Sequence, residues 1–427
     1  MAKRFTSYIL IGMVLGVIVG WALNRSLTDP DTLTRIGGYF SILTDVFLRL
    51  IKMIIAPLVF STLVMGIAHL GDSSALGRVG LRTLAWFIMA SVISLLLGIV
   101  MVTLLAPGAS LALPLPAVDA AVDVKATTLT LKDFVTHLVP KSVAEAMANN
   151  EILQIVVFSV FFGVGLAAVG DKGKSLLAMI TGLAEVMLKV TGYVMLFAPV
   201  AVFAAIAATI TTRGLGILAT YAKFIGSFYL SIGLLWAVLL ALGWMVLGGR
   251  VGRLIREVRE PILLAFSTAS SEAAYPRTLE GLERFGVSNR IASFVLPLGY
   301  SFNLDGSMVY QAFAALFIAQ AYGIEMTFGQ QLTLLLVMML SSKGVAGVPR
   351  ASLVVVAAVL PMFGLPEAGL LLIMGIDQFL DMGRTATNVI GNGIASAVVA
   401  KWEGALGPPL AEDADVLAIE PPGKTPA

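Results

Sequence analysis

Six residues able to carry charge or hydrogen bonds crowd one short stretch near the end of the chain: Asp377, Asp381, Arg384, Thr385, Asn388 and Asn392. They interrupt an otherwise apolar run from Leu370 to Ala400. Wound at about 100° per residue, a helix places all six on a stripe roughly 100° wide. Charges in such surroundings are expensive unless they pair or work. The stripe therefore either glues helices together through internal salt bridges, or converges on a zwitterionic or anionic solute and its coupling ion. In the second case Arg384, a planar fork of donors, grips a substrate carboxylate through two N–H bonds. Asp381, one turn away, accepts from a substrate ammonium.

A second segment, Ser301-Phe302-Asn303-Leu304-Asp305-Gly306-Ser307, lies between the apolar runs Phe294 to Tyr300 and Met308 to Ala321. Asn and Gly there predict an unwound turn. Its freed carbonyls and the Asp305 carboxylate are hard oxygen donors suited to a small cation or a proton; the plainer alternative is a glycine kink with a buried acid. Two further stretches, Ser267 to Ser271 and Ser341 to Pro349 (which holds Gly347 and Val348), offer hydroxyls, amides and helix N-termini to an anion. Their small residues also let a gate open. Glu272 and Lys343 beside them are either interfacial charges or functional ones.

These stretches repeat. Ser270-Ser271-Glu272 with Pro276-Arg277 is echoed by Ser341-Ser342-Lys343 with Pro349-Arg350, and each precedes a polar segment at nearly the same offset, Ser271 to Asp305 and Ser342 to Asp377. Interrupted helices in corresponding positions of two halves mark the binding site of a transporter. The reading is two re-entrant hairpins, each followed by a spanning helix.

Composition decides what surrounds them. With 58% of 427 residues hydrophobic and 13% charged, and a mean hydropathy of +0.94, too few charges remain to cover a water-facing exterior. Lipid must supply much of the solvent, and the chain is predicted to be an all-α, polytopic membrane protein. A net charge of +2 argues against a nucleic-acid partner. No cysteine and two histidines, His69 and His137, leave no thiolate chemistry and make a zinc site or a catalytic triad improbable. No enzyme motif such as a nucleophile elbow is present, so an enzyme is not expected and no cofactor is implied.

Apolar runs of about 20 residues or more can cross a bilayer, and six occur near 7–25, 41–69, 83–106, 151–170, 186–210 and 216–247. The first is read as a membrane helix rather than a secretory signal, since no small-residue cleavage site follows it. If the spans alternate, Lys3/Arg4, Arg78/Arg82, Lys172/Lys174 and Arg250/Arg253/Arg256/Arg259 all fall on one side, which is then cytoplasmic. Pro107 to Asn150 reads as an extracytoplasmic loop with amphipathic pieces such as Leu131 to Ala148.

Taken together, Asn303-Leu304-Asp305-Gly306 and Asp381-Met382-Gly383-Arg384-Thr385-Ala386-Thr387-Asn388 resemble the signatures of the dicarboxylate/amino acid:cation symporter family, the glutamate transporter homologues. The likeness spans nearly the whole chain and is most specific from Ser267 to Trp402. It implies eight transmembrane helices plus two re-entrant helical hairpins with inverted repeats, assembled as a homotrimer in the cell inner membrane with both termini cytoplasmic. It further implies that residues 1–250 form mainly scaffold and trimerisation helices, with the third helix contributing to transport. Residues 251–403 then form a transport core that slides as an elevator, and 404–427 a flexible cytoplasmic tail.

By the same resemblance the substrate contacts are Ser270, Ser271, Ser307, Gly347, Val348, Asp381, Arg384, Thr385 and Asn388. The coupling ion, H+ or Na+, falls to Ser91, Asn303, Asp305, Asp377, Asn388 and Asn392. Members specialised for C4-dicarboxylates tend to have serine where Asp381 stands, so an acidic amino acid is favoured over succinate, fumarate or malate. Sodium-coupled relatives usually carry aspartate at Asn392, methionine at Leu304 and a threonine-serine pair where this chain reads Ala90-Ser91. The animal members' proton-carrying glutamate is Gln311 here. These departures, with Ser342-Lys343-Gly344 and the Ala400-Lys401-Trp402-Glu403 ending, resemble bacterial proton/glutamate symporters. The expected function is uptake of L-glutamate and L-aspartate driven by protons. C4-dicarboxylate:cation symport is the alternative, and a channel is disfavoured by the repeats and the central charged stripe.

Overall fold

In the computed structural model of the chain, the described residues are 2–68, 73–109, 115, 136, 139–215, 221–342, 351–374 and 376–409. Their architecture is all-helical: no strand occurs among them, and one isolated antiparallel bridge joins Val287 to Leu406. The first half holds α1 (Ala2–Ser26), α2 (Pro30–Ala68), α3 (Ser73–Leu105), the short α4 (Val143–Ala148), α5 (Ile152–Val169), α6 (Lys174–Met195), α7 (Ala198–Arg213) and α8 (Ala222–Leu247). The second half holds α9 (Val251–Thr268), α10 (Ser271–Phe285), α11 (Asn289–Phe302), α12 (Asp305–Ala321), α13 (Phe328–Ser342), α14 (Ala351–Val359), α15 (Leu370–Met374) and α16 (Asp377–Trp402).

Among the described residues, five stretches are long and apolar enough to cross a membrane: Ser7–Ser26, Pro30–Met65, Gly77–Leu105, Ile152–Met195 and Ala222–Thr268. Their outward faces are apolar too. On α1, Tyr8, Ile11, Val14, Ile18 and Trp21 are all exposed, an arrangement that lipid tolerates and water does not. The chain is a multi-pass, membrane-embedded protein.

Two expectations need correction. The apolar run at 186–210 is not one helix. It breaks at Leu196 and Phe197 between α6 and α7, where Pro199 lies in the first turn of α7, a turn whose N–H groups have no intrahelical partner to lose. Likewise the run from Leu370 to Ala400 is not continuous, because α15 ends at Met374 and α16 begins at Asp377. Asp377 thus occupies the first turn of its helix, where a carboxylate faces the positive end of the helix dipole, rather than the middle of an apolar span.

The predicted unwound turn is present: α11 ends at Phe302, α12 starts at Asp305, and Asn303 and Leu304 between them are non-helical. Ser267 and Thr268 finish α9, Ala269 adopts φ +50°, and Ser270 caps α10 by accepting from the Ala273 N–H at 3.2 Å. Residues 343–350, with Lys343, Gly347 and Val348, lie outside the described residues, as do His69 and His137.

Two helices are enclosed almost completely. On α12 every residue from Asp305 to Ala319 is buried, and on α16 every residue from Met382 to Ala400. Around them pack α3, α8, α9 and α11. At one end the chain is cinched: Glu403 accepts from Arg78 at 3.1 Å and Arg82 at 2.7 Å, and Trp402 meets Trp86 edge to face. Arg250 donates to Gly407 O at 2.8 Å nearby. Two of the basic clusters assigned to one side of the membrane therefore converge on the same segment.

Candidate functional site

The broken helix α11/α12 crosses α16 so closely that side chains are excluded. A Cβ on Gly306 would fall 2.2 Å from Arg384 O, and one on Gly391 would fall 2.0 Å from Asp305 Oδ2. Glycine at both positions is what lets two polar segments touch. Gly391→Ala is expected to cost about 1–3 kcal/mol or more, the usual range for overpacking, because the neighbour is a held carboxylate rather than a flexible tip. Thermal unfolding of the purified protein checks this; an unchanged midpoint would contradict it.

Across that contact the polar residues mesh. Asn388 Oδ1 accepts from the Gly306 N–H at 2.9 Å, and Asn388 Nδ2 donates to Ser307 Oγ at 3.4 Å. One turn along α16, Asn392 Oδ1 accepts from Asn303 Nδ2 at 3.0 Å. Ser94 of α3 donates to Asp305 Oδ1 at 3.5 Å. Asn303 Oδ1 and the hydroxyl of Ser91, also on α3, are buried without a partner among the described residues. Oxygens from three helices thus surround the unwound turn, a hard-donor set of the kind small cations prefer.

Toward the start of α16 lies the charged part. Arg384 Nε donates to Asp381 Oδ1 at 2.8 Å, and the Thr385 hydroxyl donates to the same oxygen at 2.9 Å. The Arg384 guanidinium also lies over the ring of Tyr310, 4.6 Å from its centroid, a contact strengthened by burial. Tyr310 in turn donates to Asp377 Oδ1 at 2.7 Å. The Arg384 side chain is only 5% exposed, against 17% for Asp381, and its Nη1 is buried without a hydrogen-bond partner among the described residues. An unmade bond on a buried guanidinium is costly, and it defines a donor edge that a carboxylate would fill.

The structure therefore brings Asp377, Asp381, Arg384 and Thr385 into one charged group, and Asn303, Asp305, Ser307, Asn388 and Asn392 into an adjoining amide and carboxylate group that Ser91 flanks. Ser270 and Ser271 sit at the α9–α10 tip, where the Ser270 side chain caps α10. Glu272, next to them, faces Lys52 of α2 at 3.9 Å.

Two members of these groups escaped the sequence reading. Tyr310 resembles any core aromatic in an apolar helix, yet it connects Asp377 to Arg384. Ser94 has a signal in hindsight, since it stands three residues after Ser91 and shares its helix face. Tyr229 and Trp236 of α8 brace α16 from behind, donating to Phe379 O at 2.6 Å and to Thr387 Oγ1 at 2.8 Å.

Comparison with known proteins gives a consistent picture. Residues 5–402 match the profile of the sodium:dicarboxylate symporter family. The chain is 41% identical over 403 residues to the proton/sodium-glutamate symport protein of Bacillus caldotenax, covering 93% of this chain and 94% of that protein. It is 41% identical over 403 residues to the proton/glutamate-aspartate symporter of Escherichia coli (strain K12), covering 92% of each. It is also 38% identical over 430 residues to the C4-dicarboxylate transport protein of Laribacter hongkongensis (strain HLHK9), covering 100% of this chain and 95% of that protein.

Proposed function

This chain belongs to the sodium:dicarboxylate symporter family, and from that membership we propose that it takes up L-glutamate and L-aspartate with protons across a bacterial inner membrane. The observation that carries the substrate assignment is the Arg384–Asp381 pair with its spare Nη1 donor. An acidic amino acid brings a carboxylate for Arg384 and an ammonium for Asp381, so each member of that pair meets an opposite charge. A dicarboxylate brings no ammonium and sets a second negative charge against Asp381. Ser270, Ser271, Ser307, Gly347, Val348, Thr385 and Asn388 complete the proposed substrate contacts.

The ion assignment rests on what surrounds Asp305. Carrying an anionic solute toward a negative interior costs about 2.3 kcal/mol per charge per 100 mV, and co-transported cations offset that. Asn392 brings an amide that is already committed to Asn303, so its segment adds no negative charge to hold sodium. Asp305, with Asp377 and Glu272 as the alternatives, is the proposed proton carrier, supported by Ser91, Asn303, Asn388 and Asn392. Sodium is the rival ion, as the Bacillus relative's name includes it.

The movement proposed is an elevator: eight spanning helices and two re-entrant hairpins, with residues 251–403 and α3 sliding against a trimeric scaffold built mainly from residues 1–250. The end of the molecule that carries Arg78, Arg82 and Arg250 is cytoplasmic in this reading, together with both termini.

C4-dicarboxylate symport is the second reading, favoured by the full-length match to the Laribacter protein, and Asp381 discriminates. Asp381→Ser removes the charge that repels an ammonium-free substrate, so malate is expected to gain on glutamate as a competitor of labelled glutamate uptake in proteoliposomes. If the relative competition is unchanged, Asp381 serves the helix and not the substrate.

A further inference from the structure

Helix α8 holds α16 at two points behind the polar stripe. The Tyr229 hydroxyl donates to Phe379 O at 2.6 Å, and Trp236 Nε1 donates to Thr387 Oγ1 at 2.8 Å. Thr387 passes the second bond on, its own hydroxyl donating to Gly383 O at 2.8 Å. At about 100° per residue, Phe379, Gly383 and Thr387 fall at roughly 0, 40 and 80° around α16, whereas Asp381, Arg384, Thr385 and Asn388 fall between about 140 and 240°. The gripped residues and the proposed substrate residues thus occupy different faces of one helix.

Two contacts do what one cannot. On α8, Tyr229 and Trp236 lie about 10.5 Å apart along the axis, and on α16 Phe379 and Thr387 lie about 12 Å apart. A single bond leaves a pivot, while a pair at this separation fixes both the rotation of α16 about its axis and its height along α8. The fit at the first point is close. A Cβ on Gly383 would fall 2.8 Å from Tyr229 Cε1 and 3.0 Å from Tyr229 Cζ, so glycine beside Arg384 is what admits the ring. The ring cannot swing away without breaking its bond to Phe379 O.

The adjacent residue of α8 serves the other half of the charge pair. Phe228 meets the Tyr310 ring edge to face, with centroids 6.3 Å apart, and the Arg384 guanidinium lies over that same Tyr310 ring. Because α15 ends at Met374 and α16 begins at Asp377, the first turn of α16 does not continue a preceding helix and depends on lateral contacts. Neighbouring residues of α8 therefore set both the backbone from which Asp381 and Arg384 project and the ring on which the guanidinium rests.

The geometry points to Tyr229 and Trp236 as positioning residues that set the Asp381–Arg384 pair and, through it, the preference between glutamate and aspartate. The two amino acids differ by one CH2 between the carboxylate and the ammonium that the pair would receive, so a turn or slide of α16 changes the ratio of their affinities. A variant that is merely less stable offers fewer competent molecules and leaves that ratio unchanged. The assignment rests on the transport reading.

Calorimetry with glutamate and with aspartate, on the purified full chain, tests it. Tyr229→Phe keeps the ring and loses the donor; both affinities are expected to fall by about two- to tenfold, the worth of one net hydrogen bond, and to fall unequally. Gly383→Ala drives the ring off the helix and is expected to shift the ratio further. In a Tyr229→Leu background the same change at Gly383 should add little, since the ring it would strike is gone. Thr387→Val removes the acceptor of Trp236 and should also shift the ratio, while Thr387→Ser keeps that acceptor and should not.

An unchanged ratio in either Tyr229→Phe or Thr387→Val, with the unmodified chain binding both amino acids, overturns the two-point assignment and leaves the transport reading standing. Binding of neither amino acid by the unmodified chain overturns the transport reading and the assignment with it. Should Gly383→Ala fail to fold, Tyr229→Phe, which removes one oxygen and adds no volume, decides the matter.

Discussion

Replacing Arg384 with alanine is expected to weaken binding of glutamate and aspartate by roughly 30-fold to several thousand-fold, while the protein still inserts and folds. The range follows from the cost of about 2–5 kcal/mol when one member of a buried, hydrogen-bonded charge pair is removed. Arg384 is 5% exposed, bonded to Asp381 through Nε, stacked over the Tyr310 ring, and left with an unpartnered Nη1 among the described residues. Alanine removes the donor edge, the ring contact and the counter-charge of Asp381 together. Thr385 and water remain to satisfy Asp381, whose side chain is the more exposed of the pair, so the fold should survive. Calorimetry with glutamate on the purified variant decides the matter, and full affinity would remove Arg384 from the site.

The second large effect concerns coupling. Asp305→Asn keeps the shape of a side chain that is fully buried beside Gly391 and bonded by Ser94, but an amide cannot carry a proton. The variant should still bind glutamate and exchange it across the bilayer at equal concentrations. Net accumulation against a gradient should fall to about unity, whereas each coupled proton otherwise contributes about tenfold per unit of pH. Accumulation that survives in Asp305→Asn would move the coupling proton to Asp377 or Glu272.

The polar stripe of this protein was unusually legible in its sequence because the membrane removes the background. In a soluble protein a stripe such as Asp377, Asp381, Arg384 and Asn388 would be one polar face among many. In an apolar helix it stands alone, and its spacing at helical period puts it on one face. The break at Asn303 and Leu304 was readable for the same reason, as Asn and Gly interrupting an apolar run.

What could not be read was set by contacts across helices. Nothing in the local pattern distinguishes Tyr310 from Phe313 or Phe317, yet only its hydroxyl reaches Asp377. The break at Leu196 and Phe197 was hidden by continuous hydropathy, since apolar residues fill turns inside a membrane protein as readily as helices. The start of α16 at Asp377 was concealed likewise by the apolar residues before it. Nor does sequence spacing alone reveal that Arg277 reaches back to Glu260 on the other arm of the hairpin.

The central claim, uptake of an acidic amino acid driven by protons, is tested most directly by labelled glutamate accumulation in proteoliposomes containing only this chain. The proton and sodium gradients are imposed separately. A proton gradient alone, in sodium-free buffer, is expected to drive accumulation that collapses when the gradient is dissipated. Accumulation that requires sodium and ignores the pH gradient would contradict the account and assign the oxygens around Asp305 to a sodium ion.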